Sequence, residues 1–257
     1  MKKFWVASIG LLIISVQSAG AGWGSFVSSF KSPGPYPAGV SYRPGYLYIS
    51  TMEPGVVWRT TTTGSIISYH PTELASQSGI TVGAMSGQIY YWVANNAPTY
   101  VYRFVDNSST VAGSFPAPGR EVNWRGLTFV DTGHMYYTEQ YGQGLYLLHP
   151  ITGSIYSSYK LAFKPNDLAY DSSGRGYLWV TSSGDRAVYK CTLTGSPVAS
   201  FSAAAYEYPQ GCGFDGNYLW VGCGNPMEGR NYIVQFDVRS DPAVAPASLG
   251  RVKALYR

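Results

Sequence analysis

The sequence predicts an all-β fold: a five-bladed β-propeller of four-stranded antiparallel blades, with one surplus terminal strand. Two observations predict the blades. A Gly-bearing turn followed by a short strand of tyrosine, tryptophan and branched aliphatics is written five times. The turns are Pro44-Gly45, Ser86-Gly87, Thr132-Gly133, Ser173-Gly174 and Asp215-Gly216, and the strands that follow occupy 46–49, 89–93, 135–138, 177–180 and 218–221. From glycine to glycine the steps run from 41 to 46 residues, the length of one four-stranded blade. A third observation, the presence of six outer-strand candidates for five blades, predicts the surplus.

In chain order, the first segment is a targeting signal. Lys2 and Lys3 precede an apolar run at 4–16, and Ala19-Gly20-Ala21 supplies a small-residue cleavage site. The run is short for a bilayer span. The expectation is a signal peptide at 1–21 and a single propeller domain at 22–257, secreted or periplasmic, with no membrane span once the signal is removed.

Each repeat then resolves into strands A to D. Strand A precedes the Gly turn, at 38–42, 82–85, 126–130, 167–170 and 211–214, and its small residues suit a channel where neighbouring backbones converge. Strand B is apolar on both faces, as expected of a strand sandwiched between blades. Trp58, Trp92, Trp179 and Trp220 are therefore expected between blades. Strand C alternates, as in Tyr100-Val101-Tyr102-Arg103. It leads into the turns Thr63-Gly64-Ser65, Thr152-Gly153-Ser154 and Thr194-Gly195-Ser196, where glycine supplies positive φ and the hydroxyls bond back. Strand D ends in Tyr69, Phe115, Tyr159 or Phe201. No stretch carries the 3.6-residue period of a long amphipathic helix.

The run Asp215-Gly216-Asn217-Tyr218-Leu219-Trp220-Val221 and the Thr-Gly-Ser turns resemble those of secreted bacterial β-propellers of the broad NHL and YVTN-like kind. The resemblance spans the chain after the signal but rests on fold-forming residues. It implies the propeller and no particular activity, because such folds serve lyases, lactonases, cyclases and pure binding proteins.

The strand count does not close. Two terminal segments compete for the vacant outer strand of blade 5: 23–30, with Trp23, Phe26 and Phe30, and 249–256, with Leu249, Val252, Leu255 and Tyr256. Closing a propeller with a strand from one terminus removes a free edge. The other segment then lies as a tail or weak fifth strand, or pairs with a neighbouring subunit by strand addition. The spacer at 241–248 bears Pro242 and Pro246, and its semi-extended character favours carrying the last strand away.

Composition narrows the partners. Charged residues are 12% of the chain and the net charge is +4, with no basic stripe, so nucleic acid is not an expected partner. Sparse charge and 23 tyrosines favour adhesion to another copy, another extracellular protein or a glycan. Three cysteines are too few for a disulfide framework. Cys212 and Cys223 flank one hairpin and are candidates for a cross-strand bridge, which leaves Cys191 as a free thiol.

Propeller ligands sit at the channel mouth. The candidates there are Glu53, Glu121, Asn123, Arg125, Asn166, Asp167 and Gln210, of which Glu53, Glu121, Asn123, Asn166 and Asp167 form the set a metal site would draw on. Asp131, Asp171 and Asp215 sit beside the A–B turns and are expected to be turn formers. No histidine pairs with a serine or cysteine in a nucleophile motif, and no Gly-rich phosphate loop occurs. The expectation is a secreted, non-enzymatic interaction or structural module without cofactor or metal, self-assembling by terminal strand exchange. The alternative is a small-molecule hydrolase, lyase or cyclase with its site at the channel mouth.

Overall fold

The computed structural model describes residues 23–119, 124–225 and 228–239. Five four-stranded antiparallel sheets follow one another along the chain. After β1 (Ser25–Lys31), blade 1 comprises β2 (Pro37–Arg43), β3 (Tyr46–Thr51), β4 (Val56–Thr61) and β5 (Ile66–Pro71). Blade 2 comprises β6 (Gln77–Met85), β7 (Gln88–Asn95), β8 (Tyr100–Val105) and β9 (Val111–Pro116). Blade 3 is built from β10 (Arg125–Phe129), β11 (Met135–Glu139), β12 (Gly144–Leu148) and β13 (Ile155–Lys160). Blade 4 has β14 (Leu168–Asp171), β15 (Tyr177–Ser182), β16 (Ala187–Cys191) and β17 (Pro197–Ser202). Blade 5 has only three strands of its own, β18 (Pro209–Phe214), β19 (Tyr218–Asn225) and β20 (Arg230–Asp237), and β1 supplies the fourth.

The turns form as their side chains dictate. Asp131, Asp171 and Asp215 accept the backbone N–H two residues on, each at 2.8 Å, and so close the A–B turns. Asp215 also accepts from Trp220 Nε1 at 2.9 Å, tying its turn to the next strand. At the C–D turns Gly64, Gly153 and Gly195 take φ of 70–90°, and Thr61 and Thr192 accept the N–H of Ser65 and Ser196.

The core is five apolar clusters, one in each gap of the ring. Tyr48 and Val57 meet Ile80, Tyr91 and Phe104 between blades 1 and 2. Trp92 packs with Leu127, Met135 and Tyr137 between blades 2 and 3, and its Nε1 donates to Pro150 O at 2.8 Å. Tyr136 and Leu145 face Leu168, Leu178 and Val180 across the next gap. Trp179 lies among Cys212, Leu219 and Phe236, and Trp220 among Val40, Leu47 and Ile49. Strand B therefore alternates between two apolar interfaces: Leu178 and Val180 face the preceding blade, Trp179 the following one. Trp58 differs from the other three tryptophans. It is half-buried at the edge of the gap between blades 5 and 1 and stacks at a tilt on Tyr69.

Closure settles one end of the surplus. β1 pairs antiparallel with β20, Ser25 opposite Asp237 and Lys31 opposite Tyr232, so the N-terminal segment acts within its own chain. Segment 249–256, the rest of 241–257 and the expected signal at 1–21 lie outside the described residues.

The expected cysteine bridge is corrected. Cys212 stands opposite Val221, in regular register with Gly213 opposite Trp220, and Cys223 stands opposite Pro209, so the two are offset along the hairpin and all three cysteines are buried free thiols. Among the described residues no helix is long and apolar enough to cross a membrane.

Two outcomes follow. Trp179→Ala, at a fully buried site, should lower unfolding free energy in urea by about 3–5 kcal/mol, whereas Trp58→Ala should cost clearly less. Burial pushes the Cys191 thiol up to about 12 and raises Cys212 and Cys223 as well, so a thiol reagent should label the protein only as it unfolds.

Candidate functional site

Strand A is the inner edge of every blade, and the five inner edges converge on the axis. At one level around that axis stand Gly39, Gly79, Gly126 and Gly211, with Asp167 at the fifth place. The backbones there nearly touch. A Cβ on Gly126 would lie 2.4 Å from Asp167 Cα, one on Gly39 2.5 Å from Ile80 N, and one on Gly211 2.7 Å from Gly39 C. Four blades can therefore carry only glycine.

The remaining blade, blade 4, fills the space with the carboxyl group of Asp167. Asp167 is fully buried, and its oxygens accept N–H bonds from Cys212 at 2.9 Å, Leu127 at 3.3 Å and Val40 at 3.4 Å. The N–H of Leu168 completes the set. One side chain thus serves amides from blades 1, 3, 4 and 5. Burial drives its carboxyl well above the usual range, and the four N–H dipoles, which favour the charge, offset only part of that. Thr181 braces the same point: its Oγ1 accepts from Asp167 N at 3.0 Å and donates to Gln210 O in the next blade at 2.5 Å.

One step along the channel, hydroxyls take over. Ser41, Thr81 and Thr128 each accept a backbone N–H from the following blade, from Val82 at 3.1 Å, Phe129 at 2.8 Å and Tyr170 at 3.0 Å. They line a cavity of about 90 Å³, bounded also by Cys212 and Phe214.

The expected mouth residues divide. Arg125, Asn166, Asp167 and Gln210 are all buried where inner strands of blades 3, 4 and 5 begin. Arg125 Nη1 donates to Asn95 O at 3.1 Å, and Asn166 Oδ1 accepts from Ser183 N at 2.7 Å. Glu53 is exposed in the turn between β3 and β4 and joins none of them. Glu121 and Asn123 lie outside the described residues. Glu139 belongs with the buried group: it stands opposite Arg125 in the β10–β11 ladder, and its Oε1 accepts the Gly142 N–H. Glu139 Oε2, Asn166 Nδ2 and Gln210 Oε1 are buried with no hydrogen-bond partner among the described residues. Among the described residues no group of three His, Cys, Asp or Glu side chains is placed to hold a metal ion.

The order of sheets, the shared axis and the β1 closure decide the architecture. The chain is a five-bladed β-propeller. No family model matches its sequence, and no curated protein does. Solved structures do match its fold. The glutaminyl cyclase of Myxococcus xanthus is 13% identical with a TM-score of 0.62, over 84% of this chain and 97% of that one. The PQQ-bound aldose sugar dehydrogenase of Streptomyces coelicolor is 12% identical with a TM-score of 0.53, over 83% and 97%. At such identities the likeness is one of fold.

Replacing Asp167 with alanine would strand several buried N–H groups, each costing about 1–3 kcal/mol. Asp167→Ala should therefore fail to fold or lose at least about 3 kcal/mol in urea unfolding. The pH dependence has a definite sign. A carboxyl held high in the native state keeps its proton where the unfolded chain has released it, so stability falls as pH rises from the ordinary carboxylate range toward the raised value. Asp167→Asn, where it folds, should flatten that slope in denaturation midpoints taken from about pH 4 to about pH 8.

Proposed function

We propose that this protein is an exported, non-enzymatic interaction propeller that associates with other copies of itself through its outer strands. The observation that carries this reading is a set of exposed apolar side chains repeated in every blade. Ile66 and Ile67 open β5, Val111 opens β9, Ile155 and Tyr156 open β13, Val198 is second in β17, and Phe26 and Val27 lie near the start of β1. All are between 41% and 55% exposed. Equivalent positions in five blades place them around one rim. With charge at 12% of the chain, little keeps such a rim apart from another like it. Each outer strand also presents unpaired backbone groups along its free edge, the surface that strand addition uses. The chemistry at the axis fits the same reading, since the Asp167 oxygens are committed to backbone amides rather than open to a substrate.

A second reading, a small-molecule hydrolase, lyase or cyclase acting at the channel mouth, is favoured by the partnerless Glu139 Oε2 and Asn166 Nδ2. The two solved neighbours named above are enzymes by name, and a site of that kind would occupy the same end of the ring.

Sedimentation velocity over a wide concentration range distinguishes the two. The self-association reading expects concentration-dependent oligomers that Ile66→Asp combined with Ile155→Asp weakens while the melting temperature stays near that of the parent. A strictly monomeric protein that retains a stoichiometric divalent ion on purification would favour the channel-mouth reading instead.

A further inference from the structure

The strand that closes the ring has a second edition at the far end of the chain. Trp23, just ahead of β1, packs on Trp179 with ring centroids 5.8 Å apart and meets Phe201 edge-on at 5.4 Å. Gly24 takes φ of +76°, and a Cβ there would fall 2.5 Å from Phe201 Cγ. Its N–H donates to Asp237 O at 2.7 Å. Phe26 stacks on Tyr206 at 5.5 Å, and Phe30 packs onto the cluster between blades 5 and 1. Residues 249–257 repeat this order. Leu249, Gly250, Val252 and Tyr256 stand at the spacing of Trp23, Gly24, Phe26 and Phe30, and Arg257 follows as Lys31 does. Gly250 is the discriminating match, because the slot rejects a side chain at that place.

β1 is also a strand that can be displaced. Residues 26–29 are exposed and a bulge interrupts its register between Phe26 and Ser28. It is an edge strand, held on one side only.

We propose that the blade-5 slot accepts residues 249–256 of a second copy in place of β1, so that copies are joined by donated closing strands. This rests on the reading of the protein as a self-associating module and names its partner. The chain leaves blade 5 at Asp237, directly beside the place where the slot begins, since Asp237 is opposite Ser25. To fill its own slot, residue 249 would have to return to that point. A spacer with prolines at 242 and 246 favours an extended course, about 25 Å over eight residues at about 3.1 Å each, which delivers the strand to a neighbour.

The test uses the two glycines in the chain without its signal. Gly24→Val should loosen β1 and yield oligomers at concentrations where the parent is monomeric, and adding Gly250→Val should return the protein to monomer with a lower melting temperature. A Gly24→Val monomer indifferent to Gly250→Val overturns the proposal. A Gly24→Val monomer whose melting temperature falls on adding Gly250→Val overturns the second-copy occupant, because the segment would then be filling its own slot. Should Gly24→Val not fold, a chain lacking residues 22–31 is refolded with synthetic peptides. Restored folding with peptide 247–257 but not with its Gly250→Val form supports the proposal. Restoration by peptide 22–31 alone, or by both forms of 247–257 equally, overturns it. Association of the parent that responds to Ile66→Asp with Ile155→Asp and ignores Gly250→Val would leave the rim reading standing and remove strand donation.

Discussion

One buried aspartate side chain holds the inner edges of this ring together. A propeller faces a problem that an ordinary sheet does not: five strand edges point their N–H groups at a common axis where no further strand can fit. Water cannot serve them where the backbones touch, and each buried N–H left without an acceptor is costly. The solution here is asymmetric. Four blades give up their side chains at that level, at Gly39, Gly79, Gly126 and Gly211, and blade 4 projects Asp167 into the space they leave. Ser41, Thr81 and Thr128 repeat the principle one step along the channel with single N–H groups. The glycines and the aspartate are thus one device, and neither works without the other.

This is also where sequence and structure part. The repeat, the strand boundaries of most blades and the turn-forming role of Asp131, Asp171 and Asp215 are local properties. They depend on residues two or three positions apart and are legible in one dimension. The two-faced apolarity of strand B is legible for the same reason, because period 2 delivers Leu178 and Val180 to one gap and Trp179 to the other. Asp167 is different. An acid on an inner strand has the same appearance whether it awaits a metal or caps amides. What decides is the presence of Val40, Leu127 and Cys212 around it, residues brought within reach only by ring closure.

The mouth was legible in part. Arg125, Asn166 and Gln210 do gather with Asp167 at the starts of inner strands, as expected of residues preceding the A strands. Glu53 does not: its side chain is exposed in the turn between β3 and β4. The inner strand of blade 2 was legible only in its second half, because β6 begins at Gln77, well before the stretch at 82–85, so the level equivalent to Gly39 falls at Gly79 and not at Gly83. The cysteine pairing failed on the turn: the hairpin pairs Phe214 with Leu219 and Cys212 with Val221, two residues short of Cys223, and that register is set by a turn length the cysteine spacing does not reveal.

Inner and outer edges are treated oppositely, and that contrast bears on what the molecule does. The inner edges are capped by side chains: Asp167 serves blades 1, 3, 4 and 5, and the hydroxyls serve blades 2, 3 and 4. Among the described residues no further strand pairs with the outer edges, which carry apolar residues at the head of each outer strand and few charges to discourage pairing. Blade 5 concentrates the consequence. Its outer strand comes from the start of the chain, is mostly exposed, and is the one whose loss would open the ring, since blades 1 to 4 are each continuous in sequence. Whatever pairs with β20 therefore acts on closure of the whole ring as well as on one edge. By linkage, a partner that binds the closed ring and not the open one stabilises the fold in proportion to its own binding. An assembly that meets at blade 5 would draw its members into their most stable form. That coupling is absent at the other four outer strands, where an added strand would lengthen a sheet that is already complete.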